Sequence, residues 1–240
     1  MAMNKNRVID CLIGLSVAAV VSIFIFVVLP SGAVISGPRR LPNREHFNQI
    51  AKSNLAYLNS TTTGVRNLPV KLGDSVHAAA FYLAKAEGLN DASVYFAIID
   101  PSSPPITPHT VLEGDPVNAQ RLDPDFANST LSIVMAANFP ADVRAATTPV
   151  AWTRGLQADG KWSPDSPWGT RGGYIAFIDG DVQWYDQVYA NPTQGPTLTK
   201  YGTNETTTDI REALPPGAII LGAEPRPFVP ENSTANPPGP

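Results

Sequence analysis

Asp179, Asp181 and Asp186 stand within eight positions of one another around Gly180. Grouped carboxylate oxygens of this kind can take a calcium ion. No twelve-residue loop closed by a bidentate glutamate surrounds them, and ordinary turn chemistry accounts for Asp179-Gly180 without a metal. His46, His77 and His109 are too far apart in sequence for the i, i+4 spacing of a zinc site. Cys11 is the one cysteine, so neither a disulfide nor a thiolate metal site can form downstream of it. Asp10 precedes it where a lipid-attachment motif would need a small residue. Ser16, in Gly14-Leu-Ser-Val-Ala, misses the nucleophile-elbow pattern, and no phosphate-binding or dinucleotide fingerprint occurs. The chain reads as a non-enzyme with neither cofactor nor metal.

Two further groups could act outside catalysis. Asn59, Asn128, Asn204 and Asn232 each open an Asn-x-Ser/Thr sequon, the acceptor pattern for an N-linked glycan. Trp152, Trp162, Trp168 and Trp184 cluster late in the chain. They serve either as core and hairpin packing or, at Trp162 and Trp168, as an exposed patch for a sugar or a neighbouring subunit.

The elements that would position these residues begin with Val8 to Leu29, 22 residues with a single charge, Asp10. As a helix this run would be about 33 Å long, enough to cross a hydrocarbon layer about 30 Å thick. Asp10 either lies at headgroup level or pairs with an amine or basic group of a neighbouring copy. Gly14, Ser16, Ala18 and Ala19 offer small faces for close helix packing. Lys5 and Arg7 before the run weigh more than the distant Arg39, Arg40 and Arg44, which places the short tail inside and the large remainder outside. From Pro30 to Pro42 prolines and glycines break the helix.

Asn43 then reads as the cap of an amphipathic helix bearing Phe47, Ile50, Ala51, Leu55 and Leu58 on one face. A further helix runs from Asp74 or Ser75 to Gly88. Strands are expected at 94–99, 131–136, 149–152 and 218–221, with a hairpin over 172–188 turning in a type I′ bend at Asp179-Gly180. The stretch 100–130 reads as surface loop, and the end of the chain is too proline-rich to pack. Net charge is −4 and the pI about 5.3, so the basic footprint of a nucleic-acid binder is missing.

The hydrophobic start, the continuation Phe47-Asn-Gln-Ile-Ala-Lys-Ser-Asn-Leu55, and the late segments TTPVAW and GGYIAFIDGDVQW resemble prepilin-like proteins. The narrower likeness is to a planctomycete and verrucomicrobial group with a C-terminal signature of His, nine residues, then Asp-Gly. That histidine position is Gly169 here. The family's helix glutamate corresponds at best to Asp10, and Asn6-Arg7-Val8 carries no glycine before the peptidase cut.

The resemblance implies an α+β fold in which a long hydrophobic helix continues into an amphipathic one packed on an antiparallel sheet. Residues 1–42 would be the anchor and kinked connection, 43–222 the head and 223–240 a tail. It implies a structural subunit that assembles with copies of itself, and with assembly machinery, into a filament or envelope appendage. The subunit would be held in the inner membrane by residues 8–29 beforehand, with its head outside the cytoplasm. The expected assembly determinants are Asp10, Gly14, Ser16, Ala18, Ala19 and Pro30. The rival reading is a monomeric single-pass protein whose head binds a ligand or surface polysaccharide through the tryptophan loop, residues 160–170 with Trp162 and Trp168.

Overall fold

The computed structural model describes residues 41–60, 67–105 and 107–227. The chain divides into two units, Met1–Arg40 and Leu41–Pro240, and every described residue belongs to the second.

Helix α1 spans Leu41–Leu58. It accommodates Pro42 because the first helical N–H groups have no intrahelical partner to lose. Phe47, Ile50, Ala51, Asn54 and Leu58 recur at three and four residues and are buried, while Arg44, Glu45 and Lys52 face water. The helix ends where Asn59 N donates to Leu55 O and Ser60 Oγ to Tyr57 O, satisfying terminal carbonyls. Helix α2 spans Val76–Glu87, from Ser75 at its N-cap to Gly88, whose left-handed backbone closes it. A single turn, α3, covers Pro124–Ala127 and is capped by the Asp123 carboxylate.

The main sheet is built from β1 (Ile133–Ala137), β2 (Pro149–Thr153), β3 (Gly173–Phe177), β4 (Val182–Tyr185) and β7 (Ile219–Leu221). It is antiparallel with the order β4-β3-β2-β1-β7. The first four form a meander, and the last returns to lie beside β1. A separate ribbon pairs β5 (Leu198–Thr199) with β6 (Thr206–Thr207). Alternation splits the sheet into two faces. Tyr174 on one face meets Phe47 of α1 at 5.8 Å between ring centroids, and the paired Ala151, Met135 and Leu221 share that side. Val134, Trp152 and Ile220 lie on the other.

The pilin-like architecture is corrected. The described residues form a mixed α/β body around a five-stranded antiparallel sheet. Among the described residues no helix is long and apolar enough to cross a membrane, so the single-pass, transmembrane pilin description is set aside. The physical reason is visible in α1: its outer face carries Arg44, Glu45 and Lys52, too many exposed charges for a helix lying in hydrocarbon. The run Val8–Leu29 and its residues Asp10, Gly14, Ser16, Ala18, Ala19 and Pro30 lie outside the described residues.

Two local expectations also change. Residues 94–99 do not form a strand; Ala92–Tyr95 is a 3₁₀ turn capped by Asp91, whose carboxylate accepts from Ser93 N. The β3–β4 connection is not type I′. Gly180 N donates to Phe177 O and Phe177 N to Asp181 O, so a turn centred on Ile178-Asp179 is followed by Gly180 at φ +92°. That is the three-residue hairpin with a glycine bulge, and only Gly180 needs positive φ.

Candidate functional site

The face of the sheet away from α1 carries a groove of about 330 Å³. Its floor is Val134 of β1 and Trp152 of β2, and one wall is Leu156 in the loop leaving β2. The 3₁₀ turn Ile210–Ala213 supplies Ile210 opposite, and Ile220 of β7 closes the end. Ile220 is 37 % exposed, whereas Trp152 is buried beneath the groove. At the rim Arg211 donates to both carboxylate oxygens of Asp209, at 2.9 Å from Nε to Oδ1 and 2.6 Å from Nη2 to Oδ2. The guanidinium holds the Asp209 carboxyl below the usual carboxylate range, partly opposed by burial. The groove thus offers apolar contact area with one balanced charge pair at its edge. Nucleophile, general base and metal ligands are not gathered there.

Two buried polar groups inside this body, around His77 and around Asp100, are used structurally. Ser75 Oγ lies 3.1 Å from His77 Nδ1, and His77 Nε2 lies 2.9 Å from Ser129 O. A hydroxyl beside an imidazole is the start of a nucleophile–base pair. Here both side chains are buried, so no substrate reaches them. Burial lowers the His77 pKa, although the Ser129 and Phe126 carbonyls pull the other way. Arg154 places Nη2 2.9 Å from each oxygen of Asp100, whose side chain is fully buried. Ser132 Oγ donates to Asp100 Oδ2 at 2.6 Å and accepts from Ala97 N at 2.7 Å. Arg154 also donates to Leu131 O and Asp165 O. This network ties β1, β2, the 97–103 loop and the tryptophan loop together.

The residues picked out by sequence scatter. Asp179 and Gly180 form the hairpin turn, which α1 holds: Asn48 Nδ2 donates to Gly180 O at 2.8 Å and Arg44 Nε to Val182 O at 3.1 Å. Asp179 accepts from Asp181 N, Asp181 from Gln183 Nε2, and Asp186 from Gln187 N. Among the described residues no group of three or more His, Cys, Asp or Glu could hold a metal ion.

Trp162 and Trp168 are buried, which removes the exposed aromatic patch; Trp168 packs edge-on against Tyr174 and Trp184 at 5.6 and 5.5 Å. Gly169, where the resembled family has histidine, begins a 3₁₀ turn after Trp168. Asn59, Asn128 and Asn204 are exposed, though Asn128 Nδ2 is engaged with Pro124 O; Asn232 lies outside the described residues.

Sequence reasoning missed the groove and the Asp100–Arg154 network. The groove draws on four separated segments, and Asp100 and Arg154 stand 54 positions apart. Only the Asp100-Pro101 dipeptide and the polar Arg154 just past an apolar strand hinted at them. No family model matches the chain, and no curated protein or solved structure matches it.

Proposed function

We propose that this chain is a structural subunit that assembles with copies of itself into an extracellular filament or envelope appendage. The apolar run Val8–Leu29 is the assembling segment in this reading, and residues 41–227 form the displayed head. The observation that carries it is a contrast. The run has one charge in 22 residues, Asp10, and apolar surface of that extent must be covered. In the head Asp100, Arg154 and His77 are spent on its own architecture. A head that uses these charged and titratable groups internally suits a building unit better than a catalyst.

The test uses the full chain, purified in detergent and then moved to detergent-free buffer. Electron microscopy and analytical ultracentrifugation across a hundredfold range of concentration, about 0.1–10 µM, read the outcome. Ordered polymers growing with concentration are expected. A species that stays monomeric throughout overturns the assignment.

A further inference from the structure

The sheet has two edges, and they are treated differently. At β4 the edge is crossed by α1, with Arg44 and Asn48 donating to the Val182 and Gly180 carbonyls. At β7 no described residue pairs with the outer side of Ile219–Leu221. The next outward carbonyl, Gly222 O, accepts from Val76 N at 2.9 Å.

The phase of the ladder identifies what β7 presents. Arg154 N donates to Ser132 O, so the even-numbered residues of β1 bond towards β2 and the odd-numbered ones towards β7. Met135 and Ala137 are therefore the hydrogen-bonded partners of Leu221 and Ile219. Ile220, between them, directs its own N–H and C=O out of the sheet. Its side chain lies in the groove beside the Asp209–Arg211 pair. The Ser75–Gly222 bridge closes the edge just beyond Leu221, which leaves the Ile220 N–H and C=O, with an apolar side chain, as the one short template for another strand among the described residues of β7.

We propose that β7 of a second copy pairs antiparallel with this strand about a two-fold axis at Ile220, joining two five-stranded sheets into one. Each Ile220 N–H then donates to the other copy's Ile220 C=O. Residues directly opposite in an antiparallel pair share a face, so the two Ile220 side chains cover one another over the groove. Three residues offer one such hydrogen-bonded pair, and the groove supplies the remaining contact.

A second copy is the occupant because of the rim. One carboxylate and one guanidinium, with Arg211 64 % exposed, are self-complementary across a two-fold axis, where each meets its opposite. The pairing rests on the assembly reading above and names one of its contacts.

Two full-chain variants test it. In a Cys11→Ser background, Ile220→Cys is oxidised under assembling conditions beside Val117→Cys, a control on a loop where the native side chain is 82 % exposed. The expected result is covalent dimer in about tenfold excess over the control. Ile220→Pro removes the outward donor but no β1 ladder bond. It should keep the parent's near-ultraviolet circular dichroism while dimerising about tenfold more weakly. Cross-linking no better than the control, or a folded proline variant that dimerises like the parent, overturns the pairing. If polymers form in the parent while the cysteine variant fails to cross-link, this contact alone is lost. If the parent never assembles, both readings fall.

Discussion

His77 and, with it, His46 are the groups expected to make the head's stability depend on pH. The His77 ring is buried with one nitrogen against Ser75 Oγ and the other against Ser129 O. The neutral imidazole, donating to the carbonyl and accepting from the hydroxyl, satisfies both contacts. A second ring proton would force the Ser75 hydroxyl to turn away, and burial already holds the folded pKa below the ordinary 6.5. The unfolded chain therefore binds this proton at a higher pH than the folded one does. The stability that neutral His77 preserves is complete above pH 6.5 and drains away as pH falls below it, at no more than about 1.4 kcal/mol per pH unit for a single proton. His46 is shifted in the same direction, mainly by burial, and adds to the effect. Urea midpoints measured at pH 7.5 and pH 5 should show the parent losing more stability than His77→Gln. Parallel losses in the two proteins would mean that His77 does not titrate in this way. Spacing alone could rule out a zinc pair among the histidines, but it could not show that His77 turns inward, because Ser129 joins it from 52 positions away.

At the scale of elements, Arg154 matters most, since its guanidinium reaches three separate segments, at Leu131, Asp165 and Asp100, from one position. Replacing it with methionine leaves the Asp100 carboxylate buried and uncompensated, which costs roughly 3–5 kcal/mol. Replacing both, as Asp100→Leu with Arg154→Met, removes the pair together and should recover a large part of that loss. A double-mutant cycle by urea denaturation measures it, and additive single losses would refute a coupled pair. The elements that read correctly from sequence have local causes: α2 has Ser75 and Gly88 at its ends, and the β3–β4 hairpin has Asp179-Gly180. The misread ones are decided at a distance. Val94 to Ile99 has strand-like composition, but Tyr95 and Phe96 pack on Phe126 at 5.5 and 6.2 Å and no strand lies alongside. The placement of β7 beside β1 rather than β4 is a long-range choice that no dipeptide announces.

For the whole molecule the question is which force holds copies together. In the proposed assembly the apolar run carries most of the energy, and the head contributes a strand edge and a small groove. Net charge is only −4, so repulsion between copies is modest and salt can do little more than screen it. Burial of apolar surface near room temperature is driven by entropy, so it strengthens on warming and weakens on cooling. Charge pairing as the main force would instead make assembly fall steeply with ionic strength. The concentration at which polymers appear should therefore drop between 5 and 25 °C. It should also stay level or drop further when salt rises from about 0.05 to 0.5 M, a range over which the Debye length shrinks several-fold. Light scattering against protein concentration gives this threshold directly. A threshold that climbs with salt and ignores temperature would transfer the work to ion pairs such as Asp209–Arg211, leaving the apolar run without its assigned part.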